Sequence, residues 1–204
     1  MVRSVFRFLS RQPELPDLCD GTIHLRLPRH SDFRQWQSLR RESQSFLQPW
    51  EPAWRADDLF ERSFRARVLR NEQEFSSGSA VPLFLFRQSD NVLLGGLTIG
   101  LIRRGAARTC MIGYWMGERH SGRGHMFAAL GIAIPYIFRE LELHRIEAAC
   151  IPDNEKSIRL LQKSGFQREG ILRDYLKING QWRDHAIFSR LSSDAEGNGK
   201  FPTE

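Results

Sequence analysis

Cysteine is scarce in this sequence of 204 residues: Cys19, Cys110 and Cys150 occur, an odd number with no C-x-x-C pair. Such spacing excludes a disulfide framework or a cysteine zinc site, and a reducing cytoplasm is the expected compartment. The six histidines, His24, His30, His120, His125, His144 and His185, form no i, i+4 ligand pair, so no metal is expected. The longest uncharged apolar stretch runs from Met126 to Phe138 and contains Pro135. It falls well short of the roughly 20 residues of a membrane span, and a soluble chain is expected. Repeats, low-complexity segments, a G-x-x-x-x-G-K-[ST] phosphate loop and a legible Ser-His-Asp or Cys-His arrangement are likewise absent. Lysine supplies 4 of the 30 basic side chains and arginine the other 26, against 24 acidic ones. The surplus of +6 favours acidic or phosphorylated partners, for which arginine's donor fork is suited, although a GC-rich genome produces the same arginine bias.

What is present is enough for a core: 41% of residues are hydrophobic and 11% aromatic, over about one domain's length. We expect an N-terminal extension over 1–19, a single domain over 20–191 and a polar tail over 192–204. Thr22 to Leu27 alternates with period 2 and predicts a strand. A helix follows from Ser31 or Asp32 and stops before Pro49. The segment from Phe46 to Trp54 holds two prolines and two tryptophans, which predicts a rigid aromatic loop. Asp57 to Phe75 predicts a second helix. Pro82–Arg87, Val92–Arg103 and Arg108–Gly117 then read as an antiparallel meander. Met126 to Leu141 predicts a helix kinked at Pro135, Arg145 to Ile151 a buried strand, and Glu155 to Lys163 a helix capped by Asn154 and ended by Gly165. Phe166–Ile178 and Trp182–Leu191 flank Asn179-Gly180, a strong hairpin signal. The class is mixed α/β.

The stretch most informative about chemistry runs from Gly113 to Met126, as strand, glycine-punctuated loop and helix. Gly122 and Gly124 let successive N–H groups converge at a helix N-terminus, where unpaired donors and the positive end of the dipole favour an anion. Arg119 and Arg123 can add charge to a pyrophosphate. A tight turn that happens to need glycine is the alternative. The dinucleotide pattern G-x-G-x-x-G fails, because Phe127 stands at its third position.

Read as Arg119-x-x-Gly122-x-Gly124, the loop resembles the Q/R-x-x-G-x-G/A signature of the GNAT N-acetyltransferase family, which cradles the pyrophosphate of acetyl-CoA. Within that family, Phe46 to Pro52, Ile112 to Trp115, His144 to Ala148, Asn154-x-x-Ser157 and Asp174 to His185 resemble the branch that acetylates ribosomal proteins on an N-terminal alanine. The resemblance covers roughly residues 20 to 190. It implies a mixed sheet of six or seven strands flanked by four helices, splayed open between the strands at 110–117 and 145–151, with acetyl-CoA in the splay. It also implies an acetyl-CoA-dependent enzyme without a metal, acting by direct attack in a ternary complex. The expected acceptor is the α-amino group of a protein, foremost a ribosomal one, with ribosome association as a further possibility.

By the same resemblance, backbone groups of Tyr114, Trp115 and Met116 pair with the pantetheine arm, and residues Arg119, His120, Ser121, Gly122, Arg123, Gly124, His125 and Met126 hold the diphosphate. Asn154 is a pantetheine partner or simply an N-cap. Met116 is the expected backbone donor to the oxyanion. Many relatives place an acidic tyrosine in the helix after Asn154; here that position reads as Leu161, leaving Ser157 as the hydroxyl near the sulfur or as an ordinary first-turn residue. Glu147 is either a base acting through water or a partner of Arg145. Trp50, Trp54, Tyr175 and Trp182 can wall an acceptor groove, with Glu51 or Asp184 attracting its ammonium, although each is also a plausible packing residue. Two other readings keep the fold: an acetyltransferase for a small amine such as a polyamine or aminoglycoside, and a non-catalytic acyl-CoA sensor or ribosome assembly factor.

Overall fold

A computed structural model describes residues 16–194. Most of the expected extension over 1–19 and most of the expected polar tail over 192–204 lie outside them. Among the described residues eight strands form one sheet, in the order β1-β2-β3-β4-β5-β6-β8-β7. The expected six or seven strands are therefore too few. The additional strand is β1 (Asp17–Cys19), which pairs antiparallel with β2 (Ile23–Arg26), so the sheet begins ahead of the boundary expected at residue 20. Its three residues are too short for a periodic signal.

The meander is β3 (Val81–Arg87), β4 (Val92–Arg103) and β5 (Thr109–Met116), each pairing antiparallel with the next. β6 (Arg145–Cys150) lies parallel to β5, while the last hairpin, β7 (Gln167–Ile178) and β8 (Gln181–Leu191), folds back so that β8 pairs with β6 and β7 forms the edge. Asn179 and Gly180 both have positive φ, at 44° and 85°, the geometry of a two-residue turn that follows strand twist.

Among the described residues five α-helices, one more than expected because the single-turn α2 gives no periodic signal, cover the two faces: α1 (Phe33–Glu42), α2 (Gln44–Leu47), α3 (Glu61–Ser76), α4 (His125–Arg139) and α5 (Glu155–Lys163). α2 and a 3-10 turn over Gln48–Trp50 occupy the start of the stretch expected to be loop; Pro49 is tolerated because it sits in the first turn, where its missing N–H has no partner to lose. α3 starts at Glu61, not at Asp57, because the Asp58 carboxylate accepts from the Arg55 N–H at 2.8 Å and closes a turn there. α4 continues through Pro135.

Sheet alternation divides the core. Leu83 and Leu85 of β3 join Ala129, Leu130, Ala133 and Ile137 of α4 and Leu161 of α5, while Phe84 and Phe86 of β3 pack with Trp36 and Leu39 of α1 and Phe64 and Val68 of α3. No described helix is long and apolar enough to cross a membrane.

Candidate active site

β5 and β6 pair only over Thr109–Ile112 and Arg145–Ala148, after which β5 continues to Met116 with β4 alone beside it. The sheet therefore opens where a splay is expected. Gly117 N–H donates to Leu94 C=O at 2.9 Å. Antiparallel bonding alternates, so Trp115 and Gly113 also bond to β4, whereas the main-chain groups of Tyr114 and Met116 face the opening. An extended chain entering the gap meets unpaired strand donors and acceptors, as an added strand would.

A cavity of about 960 Å³ fills this opening. Its lining includes Tyr114, Trp115 and Met116 from β5, His120 to Met126 from the loop into α4, Asn154 and Ser157 from α5, and Trp50 and Glu51 from the aromatic segment. Apart from Trp50 and Glu51, expected on the acceptor side, these residues, far apart in sequence, are the expected donor-site set except for Arg119. That side chain turns aside, with a guanidinium nitrogen 3.2 Å from Glu42 and its Nε donating to His120 Nε2 at 3.2 Å.

The loop geometry suits a diphosphate. Gly122 and Gly124 have φ of +74° and +80°, and a Cβ on either would meet nothing within 4 Å, so their backbones face open space. Gly124 caps α4 with no side-chain hydrogen bond, which leaves the first-turn amides free for an anion. Just before the loop, Gly117 is required by packing, since a Cβ there would stand 2.3 Å from Leu39 Cδ1. Burial first, and then the neighbouring Arg119 cation, hold His120 below its usual pKa; burial and then Arg87 do the same for His125. Within the loop itself, the cationic side chain that lines the cavity is Arg123.

Asn154 caps α5 by accepting the Ser157 N–H at 3.1 Å, as expected. Ser157 sits in the first turn with its Oγ 2.6 Å from the Tyr114 hydroxyl. Nothing in the sequence reading assigned the Tyr114 side chain; the available signal was alternation with the buried Cys110 and Ile112, which turns Tyr114 to the same face. Leu161 is wholly buried in the core, and the α5 leucine that lines the cavity is Leu160. A hydrophobe therefore stands at Leu161, the position expected to match the relatives' tyrosine, and at its cavity-lining neighbour. Lys156 and Lys163 were also missed; they line the cavity and lie over the rings of Phe46 and Phe127, at 5.2 and 4.8 Å.

The acceptor-side expectations fare differently. Glu51 reaches the cavity, but its carboxylate takes both arms of Arg40, at 2.7 and 2.5 Å, and the Trp54 indole N–H at 2.8 Å. Its charge is spent on the protein. Arg40 in turn lies 4.3 Å from the Trp54 ring centre and 4.9 Å from that of Trp115. Asp184 accepts the Asp174 N–H at 2.9 Å within the last hairpin, and Trp182 stands 60% exposed there. Tyr175 packs edge-on to His185 with ring centres 5.6 Å apart. Glu147 pairs with Arg145 Nε at 2.9 Å, and like Tyr175, Trp182 and Asp184 it lies outside the cavity lining. Among the described residues, no group of three or more His, Cys, Asp or Glu side chains is placed to hold a metal ion.

A family profile, the acetyltransferase (GNAT) domain, matches residues 22–167. The chain belongs to the GNAT acetyltransferase family. The glycine cradle and open strand edge described above fit acetyl-CoA as the donor. It is 36% identical to Probable N-acetyltransferase YjcK of Bacillus subtilis, over 86% of this chain and 97% of that one. It is 33% identical to the ribosomal protein uS5 alanine N-acetyltransferase of Escherichia coli, over 93% of this chain and 97% of the relative. Among solved structures, Mycobacterium smegmatis RimJ in complex with CoA-disulfide superposes with a TM-score of 0.81 at 32% identity, covering 88% of both chains.

Proposed function

We propose that this protein transfers the acetyl group of acetyl-CoA to the α-amino group of a protein N-terminus, with a ribosomal protein as acceptor and cytoplasm as its place of action. The observation that carries the reading is the split between β5 and β6, with a glycine cradle on one side of the cavity and Trp50 and Glu51 also lining it. Identity to the uS5 alanine N-acetyltransferase over nearly the whole chain supports the acceptor class.

Bound acetyl-CoA supplies an activated thioester. The amides of residues 122–126 hold its diphosphate, and Tyr114 and Met116 main-chain groups orient its arm. The Met116 N–H serves as donor to the carbonyl oxygen as charge develops there, the kind of preorganised group whose removal typically costs several kcal/mol of catalysis. Ser157 Oγ serves as the donor at the sulfur. An α-amino group, with a pKa near 7.7 to 8.0, is partly neutral at neutral pH, so direct attack in a ternary complex needs no strong base. That relieves Glu147, which Arg145 already engages.

Acetyl-CoA-dependent thiol release against short peptides tests the reading. Peptides with free N-terminal Ala or Ser are turned over, blocked ones are not, and kcat/KM rises with pH through about 7.7 to 8.0. Turnover confined to a polyamine or aminoglycoside overturns the acceptor class, and acetyl-CoA binding without turnover on any amine overturns the enzymatic reading.

A further inference from the structure

Two hydroxyls meet across the opening of the sheet. Tyr114 comes from β5 and Ser157 from α5, their oxygens 2.6 Å apart, and both residues line the cavity. Ser157 is anchored at its backbone by the Asn154 cap, which fixes where its Cβ stands but leaves the hydroxyl proton free to rotate. A serine hydroxyl has one proton and two lone pairs; whichever partner accepts decides where that proton points. Burial, its largest influence, pushes the Tyr114 phenol above its ordinary pKa, so the ring stays protonated and able to donate at working pH. Neither Leu160 nor Leu161 offers α5 a polar alternative.

We propose that Tyr114 is a positioning residue for Ser157: its phenol donates to Ser157 Oγ, occupying a lone pair and turning the serine proton into the cavity. The proposal rests on Ser157 being the donor at the CoA sulfur, and Tyr114 acts only through it. No proton leaves the phenol. The tyrosine fixes a direction, and the serine hydrogen bond stabilises negative charge on sulfur.

The test reads the thiol of bound CoA directly, by thiolate ultraviolet absorbance against pH, with the complex of desulfo-CoA subtracted to remove the protein's own thiols. Wild type is expected to bind CoA with its thiol titrating below the free value. Tyr114→Phe, which keeps the packing, and Ser157→Ala each raise it by about one pH unit, the size of one lost hydrogen bond. The double variant equals Ser157→Ala alone. Melting temperatures of the CoA complexes check that each variant is folded and loaded. A shift in Ser157→Ala with none in Tyr114→Phe overturns the role of Tyr114 and leaves the serine reading intact. No shift in Ser157→Ala overturns the serine reading itself. Additive shifts in the double variant overturn action through the serine.

Discussion

At Glu51 a carboxylate on an aromatic segment turns inward, and what it holds explains the shape of the cavity mouth. Arg40 reaches it from α1 with both guanidinium arms while stacking between Trp54 and Trp115. Removing one partner of a half-buried pair leaves the other unsatisfied. Glu51→Ala is therefore expected to lose about 2 kcal/mol in chemical denaturation, and to raise KM for the acceptor while CoA affinity measured by calorimetry stays constant. The pair was not legible in the sequence, because ten residues, Pro49 among them, separate the partners and no helical spacing joins them. Glu169 makes a second residue-scale case. Arg145 first, and then the Ser189 hydroxyl, lower its pKa from 4.5 to about 2. A depressed carboxylate contributes stability above its unfolded pKa and loses it as pH falls through the folded one. The melting difference between wild type and Glu169→Gln should hold steady above pH 4.5 and vanish on the way to about 2.

Elements with a local signal were readable: the α5 cap at Asn154, the Asn179-Gly180 turn and the alternation of β2 all stand where their residues put them. Elements set by distant partners were not. β1 and α2 are too short for periodicity, and the place of β8 between β6 and β7 depends on pairing across forty residues. The parted ends of β5 and β6 left no mark in either strand's sequence; the resemblance to a known family supplied that expectation. α4 offers a test of helix energetics. Gly131 lies in its interior, exposed, and an added Cβ there would meet nothing within 4 Å. Gly131→Ala should stabilise the fold by about 0.5 to 1 kcal/mol, raising the melting temperature by roughly 1 to 4 °C.

For the whole molecule, binding of the acyl donor is linked to stability. At 100 times its dissociation constant, acetyl-CoA adds about 2.7 kcal/mol to a fold that binds it only when native, which is roughly 5 to 10 °C for a domain of this size. Gly124→Ala must place a Cβ at φ +80° and should weaken CoA affinity about tenfold, removing part of that rise at fixed ligand concentration. The glycine loop and the cavity mouth also share one support. The C-terminal end of α1 meets the glycine loop through Ser43, whose Oγ accepts the Glu118 N–H at 2.9 Å, and through Glu42 beside Arg119; it meets the cavity mouth through Arg40.

The last strand made is not the last in space. A ribosome synthesising this chain releases β6 with one edge bare, and that edge stays bare until residues 181–191 have left the exit tunnel and slipped between β6 and β7. The mouth waits too, since the Asn179 N–H that ties the hairpin turn to the Glu51 carbonyl, at 2.9 Å, arrives at the same stage. A message cut short before that strand therefore yields a protein with its cradle encoded but an open sheet edge, a template for sticking to its neighbours.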